Sequence, residues 1–345
     1  MEKEIYAMIA DIGGTKTRLQ LALFHNPKEN PLVVKTQYYA TQDYKSFDDI
    51  VEDFLQEFEG TEKWPKISTL ACAGAIFNNE TSLDNVEWTI NADAIAKKFK
   101  IGKVNLINDF TAKGYSILKI PKEEIIILQE PTKPEAETLL VLGPGTGLGM
   151  AILQSYPDQN GEVGYIARGT EGAHASFAAV TGLEKEFCDY YLREVPGYKE
   201  EFGYMQCEKV YCGPSLPWIY KFFCMKEGVN AEDLSPEEIT ERGWKNTDPI
   251  CRKVIEFWAG VYGNQAADFA LTVMPYGGIY LVGNMTEYLS DYLGDRNGPF
   301  MKRYLSKDPQ NNEKLKQFPI YIIKKKGLGL YGAAVKAQRD YFGLH

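Results

Sequence analysis

Two short stretches of the chain combine threonine with clustered glycines and few other side chains. One is Gly13-Gly14-Thr15; the other, in "LVLGPGTGLGMAIL", holds Gly143, Gly145, Thr146, Gly147 and Gly149. Glycine tolerates positive φ at such turns and lets a ligand come close to the main chain. Several N–H groups then point one way, which is how backbone cradles an anion. Either turn alone serves equally well as an ordinary hairpin tip. Their recurrence as strand, Gly-Thr turn, strand, in "IADIGGTKTRLQLALF" and "LVLGPGTGLGMAILQ", predicts a duplicated core with two phosphate-type hairpins facing each other across a cleft. Neither is a G-x-x-x-x-G-K-S/T loop, nor a G-x-G-x-x-G turn opening a helix.

Acidic residues stand beside these turns. Asp11 directly precedes the first, where a carboxylate next to a phosphate cradle makes sense if it holds Mg2+ or its water. The bland alternative is an Asp bonding its own backbone. Asn108 and Asp109 follow the run "VNLI", and ligands of α/β sheets gather beyond the carboxyl ends of strands. Asp109 is suited to deprotonate a hydroxyl, and Asn108 offers a donor and an acceptor; taken alone, the pair also reads as a helix cap. Glu171 and His174 lie three apart in "TEGAH", a spacing seen in half of a carboxylate-bridged metal site. The other histidines, His25 and His345, supply no second copy, so hydrogen bonding to a neutral polyhydroxyl ligand fits better than a dedicated metal site. Glu208, in "QCEKVYCGPS", is by itself an acid near a helix.

The elements that carry these residues alternate. Strands are expected at 5–11, 17–24, 31–40, 67–76 and 104–109, with helices at 46–60, started by Ser46, and at 92–100. The runs 138–142 and 150–153 flank the second turn as buried strands. Later residues turn helical (182–195, 216–225, 235–244, 251–274), with strands near 277–285 and 318–325 and a closing helix at 327–342. This alternation argues an α/β fold. The 345 residues allow two domains, and 44% hydrophobic with 25% charged residues describes an ordinary globular chain. A net charge of −9 argues against nucleic acid or an acidic membrane surface as partner. The six cysteines lack C-x-x-C spacing and read as reduced thiols. With no signal-like start and no membrane span in view, a cytoplasmic location is expected.

Taken in order, these stretches resemble the bacterial-type glucokinase family, within the superfamily of sugar kinases, actin and heat-shock ATPases. "DIGGTK" looks like its first phosphate motif, "LINDFTA" its catalytic segment and "GPGTGLGMA" its second phosphate loop. "TEGAH" and "CEKVYCGPSL" are similar to its G-E-G-G-H and E-R-V-L-S-G-P-G-L segments; "ITERGW", "GGIYLVGNM" and "GLGLYGAA" also have counterparts. Lys16, Ala173 and Asn284 stand where the family usually has Asn, Gly and often Gly.

The resemblance implies two α/β domains of the sugar kinase/actin-like type with an interdomain active-site cleft. The smaller would comprise residues 1–118 and 326–345, the larger 119–325. It implies phosphorylation of glucose by ATP with Mg2+ and Asp109 as base. Asn108, Asp109, Glu171, His174 and Glu208 would hold the sugar. Asp11, Ile12, Gly13, Gly14, Thr15 and Lys16, with Gly145, Thr146 and Gly147, would hold ATP phosphates, and Gly283 and Gly327 would flank the adenosine. A homodimer is expected. Competing readings are a kinase for another hexose or amino sugar, a catalytically silent sugar sensor, and a filament-forming or chaperone ATPase. The related N-acetylmannosamine kinase and repressor group usually carries a cysteine-rich zinc motif after its histidine; this chain has none.

Overall fold

The computed structural model describes residues 4–74, 76–83, 86–130, 137–157 and 163–344. The chain divides into two compact units, one of residues 1–121, 153–169 and 327–345, the other of 122–152 and 170–326. Residues 153–169, expected in the larger domain, thus cluster with the first unit.

The first unit is built on β1 (Ile5–Ile12), β2 (Lys16–Phe24), β3 (Leu32–Ala40) and β4 (Ile67–Cys72), with a short β5 (Glu80–Leu83) and β6 (Trp88–Asn91) ribbon and then β7 (Lys103–Asn108). Its main sheet has the order β3-β2-β1-β4-β7. β1 pairs antiparallel with β2 and parallel with β4, and β4 pairs parallel with β7. β1 is apolar up to Asp11 because both faces are covered. Tyr6, Met8, Ala10 and Ile12 meet the core containing Ile50 and Phe54 of the helix Phe47–Leu55. Ile5, Ala7 and Ile9 meet the closing helix Leu328–Tyr341 through Leu330, Ala333, Ala334 and Ala337. Small residues on that second face bring backbones together. A Cβ on Gly332 would fall on the carbonyl of Ala112, in the helix Asp109–Ser116.

Local chemistry sets several boundaries. Ser46 and Asp49 exchange bonds with each other's backbone in a capping box that starts the first helix. β4 stops at Cys72, shorter than the apolar run 67–76 suggests.

The second sheet draws on β8 (Ile125–Gln129), β9 (Leu139–Pro144), β10 (Leu148–Pro157) and β11 (Val163–Thr170), of which residues 153–169 cluster with the first unit. β12 (Gly278–Leu281) and β13 (Ile320–Ile323) complete a sheet of order β11-β10-β9-β12-β13-β8. β12 lies parallel to both β9 and β13. The helix Pro249–Val273, started by Asp248 and Pro249, runs through the core. Trp258 and Tyr262 on it are fully buried, and the Trp258 indole donates to the Tyr211 carbonyl at 2.7 Å.

Candidate active site

In the first unit, three parallel strands deliver chemistry to one sheet edge. Ile12, Cys72 and Asn108 are register partners across β1, β4 and β7. The turn after β1 and the acid after β7 therefore emerge at the same end of the sheet, with β4 between them. Burial pushes the Cys72 thiol up, and the charges of Asp11 and Asp109 push it further.

The first turn is closed by the Gly13 amide donating to the Lys16 carbonyl at 3.1 Å. Thr15 and Lys16 are exposed. Asp11 pairs with the guanidinium of Arg18, its register partner across the hairpin. It also faces the first turn of the closing helix, where a Cβ on Gly329 would come within 3.1 Å of its Oδ2. Gly327, at φ +71°, caps that helix. A helix N-terminus favours a carboxylate there.

Asn108 behaves as the helix cap that the bland reading anticipates. Its Oδ1 accepts from the amides of Phe110 (2.9 Å) and Thr111 (3.2 Å), and its Nδ2 donates to the Gly74 carbonyl at 3.3 Å. With the Oδ1 occupied, the amide's second N–H is the group best suited to meet a ligand. Gly169 keeps this arrangement open, because a Cβ there would lie 2.8 Å from Asn108 Oδ1. Asp109 opens the helix, one-third exposed, with Lys113 Nζ 3.3 Å from its Oδ2.

In the second unit, Glu171, His174, Glu208 and the second turn gather together. The Ala175 carbonyl accepts from the Cys207 amide at 2.9 Å, and the Phe177 amide donates to Met205 at 2.7 Å. These bonds set the segment of Glu171 and His174 beside Glu208. His174 Nε2 lies 3.6 Å from Glu171 Oε2, and both side chains are exposed. Lys209 pairs with Glu208 at 2.6 Å. A Cβ on Gly147 would stand 3.0 Å from the other Glu208 oxygen, so Glu208 lies against the glycine turn itself. Gly145 donates to Gly147 and accepts from Gly213, each at 2.8 Å. Gly283, at φ +100°, abuts Pro144, where a Cβ would come within 3.0 Å of the carbonyl. Ala173 is buried without positive φ, so the methyl in place of glycine is accommodated.

Beside Gly145 and Thr146 opens a cavity of about 510 Å³, walled among others by Leu216, Glu237, Asn284 and Tyr288. Its volume and mixed lining suit a small organic ligand. Of the cavity's walls, Gly145 and Thr146 are assigned from the sequence and Asn284 is noted beside Gly283; Leu216, Glu237 and Tyr288 are not, nor are Thr17, Arg18, Thr41, Lys113 and Lys209. Arg18 and Lys113 had a signal, one from the hairpin register and one from helical spacing to Asp109. Thr41 had none.

The residues fit a magnesium nucleotide. One carboxylate beside a backbone cradle is what Mg2+ needs when phosphate and water supply its other ligands. Among the described residues, no three His, Cys, Asp or Glu side chains converge as a self-sufficient metal cage. No helix among them is long and apolar enough to cross a membrane.

The fold is shared with solved sugar kinases. A glucokinase from an Antarctic psychrotroph superposes with a TM-score of 0.81 at 23% identity, over 97% of this chain and 99% of that one. A ROK family glucokinase from Streptomyces griseus, solved with glucose and AMPPNP, superposes at 0.58 with 15% identity, over 97% of this chain and 99% of its own. A family profile of glucokinases matches residues 8–340. The chain belongs to the glucokinase family. Among curated relatives, the glucokinase of Campylobacter jejuni subsp. doylei is 29% identical over 99% of this chain and 97% of its own length. That of Caulobacter vibrioides is 30% identical over 95% of this chain and 94% of its own.

Proposed function

We propose that the chain transfers the γ-phosphoryl group of ATP to the 6-hydroxyl of D-glucose, with Asp109 as general base. The observation that supports this reading is the Ile12–Cys72–Asn108 register, which brings the Gly13–Thr15 turn and Asp109 to the same end of the sheet. Family membership and relatives named glucokinase support sugar phosphorylation; the solved glucokinase from Balamuthia mandrillaris holds glucose.

As the sugar oxygen bonds to phosphorus and the bond to ADP breaks, the hydroxyl proton passes to Asp109. Phosphoryl transfer asks for alignment and charge neutralisation more than covalent help. Asn108, Glu171, His174 and Glu208 hold the remaining sugar hydroxyls. The turns at Gly13–Thr15 and Gly145–Gly147 offer N–H groups to the phosphates, and the cavity by Thr146 takes the nucleoside. Magnesium, when bound, neutralises phosphate charge near Asp11.

The test is turnover with MgATP across glucose, mannose, fructose, glucosamine and N-acetylmannosamine. Glucose is expected to be phosphorylated fastest. Preference for another sugar would keep the mechanism and move the substrate; glucose binding without turnover on any sugar would replace the kinase reading with a sensor.

A further inference from the structure

We infer that Thr41 is a positioning residue for phosphate binding: it fixes the peptide planes of the Gly13–Thr15 turn so that their N–H groups face the nucleotide. The inference rests on the reading of that turn as a phosphate cradle.

Thr41 follows the edge strand β3 and is completely buried, as is Thr17. Its hydroxyl donates to the Gly13 carbonyl at 2.8 Å, and its backbone amide donates to the Thr15 carbonyl at 3.1 Å. A threonine has one hydroxyl proton. Since Thr41 gives its proton to Gly13, the 2.9 Å contact with Thr17 Oγ1 must have Thr17 as donor. The result is a directed chain from Thr17 through Thr41 to the turn, and such chains polarise and strengthen one another.

Peptide planarity makes this orientation useful. The described residues contain no cis peptide bond, so each N–H points opposite to the carbonyl of its own plane. Pulling the Gly13 carbonyl toward Thr41 turns the Gly14 N–H to the other side. Pulling the Thr15 carbonyl does the same for the Lys16 N–H. Two donors are thereby aimed together, at a turn whose glycines would otherwise let the planes rotate. Donors fixed before the charge develops stabilise it without reorganisation.

Thr41→Val removes the hydroxyl, keeps the side chain's shape and leaves the backbone bond to Thr15. The measurement is kcat and KM for MgATP and for glucose separately, with a melting curve for each variant. Thr41→Val is expected to lower kcat/KM for MgATP on the order of tenfold, with KM for glucose changing less than twofold and Thr41→Ser restoring most of the loss. Should Thr41→Val fail to fold, Thr17→Val carries the test, with a smaller shift in the same direction. Wild-type kinetics in a folded Thr41→Val or Thr17→Val variant would overturn the inference alone, as would equal losses toward both substrates, which mark general loosening. A wild-type chain that uses no MgATP would overturn the underlying reading, and the inference with it.

Discussion

The turn at Gly13–Thr15 has, besides main-chain bonds from Gly13 to Lys16 and from the Thr41 amide to Thr15, a side-chain brace from outside it: the Thr41 hydroxyl, in contact with Thr17, donates to the Gly13 carbonyl. The turn at Gly145–Gly147 is braced mainly by main chain, within itself and from Gly213, with the Glu208 carboxylate packed against Gly147. A side-chain brace lies outside the turn, so its chemistry varies without altering the cradle's own residues. A main-chain brace leaves no such handle; there the constraint falls on the glycines. The second turn also packs directly against the Glu208 carboxylate, so a displacement of one is felt by the other. In the first, the corresponding acid, Asp109, stands on its own helix.

That contrast is tested most severely by Asp109→Asn. If the first unit supplies chemistry in addition to a cradle, kcat falls by about 10²–10⁴-fold, the usual cost of losing a general base, while MgATP affinity is retained. The lost pairing with Lys113 is about one-third exposed and contributes little to stability. Undiminished turnover, measured in a coupled assay, would remove Asp109 from the mechanism and leave the two units alike as binding surfaces.

A smaller effect separates the glycines of the second turn. In Gly147→Ala the new methyl meets Glu208 Oε2 at 3.0 Å, whereas in Gly145→Ala it finds only the Gly147 carbonyl at 3.8 Å. Glucose binding measured calorimetrically without nucleotide is expected to weaken on the order of tenfold in the first, since a displaced carboxylate loses charge-assisted hydrogen bonds. In the second it should hardly change. Equal affinities would show that cradle and acid are independent there too.

Much of this arrangement was legible in the residues. The apolar runs around both turns, the Ser46 cap and the acid-turn adjacency at Asp11 are local signals, and each corresponds to an observed element. β5, β6 and β8 escaped notice because short strands carry little periodicity to read, and the longer β11 because its glycines and polar residues leave no sustained apolar pattern. The capping role of Asn108 was visible as an alternative, and the structure shows how its acceptor is spent on the helix amides. Thr41 was not readable, since a buried threonine after an edge strand acquires its meaning only when β2 and β3 pair. The cavity walls are equally non-local, joining residues from separate helices.

The mildest test concerns how the proposed base is supported. The helix that Asp109 opens rests against the closing helix at Gly332, where any Cβ would strike the Ala112 carbonyl. The contact packs Ala112 against Gly332 and the alanines of the closing helix, with Lys336 lying over the Tyr115 ring. Gly332→Ala therefore has to move one helix against the other. Overpacking of this sort costs roughly 1–3 kcal/mol, which should appear as a melting point lower by several degrees. Because Asp109 sits at the far end of its helix from Ser116, near the sheet edge where β7 ends, the shift should be absorbed mainly in the helix body. Activity of the folded variant is then expected to drop only a few-fold. A loss as large as that of Asp109→Asn, with an unchanged melting point, would mean that the base depends on this helix contact as tightly as the first turn depends on Thr41.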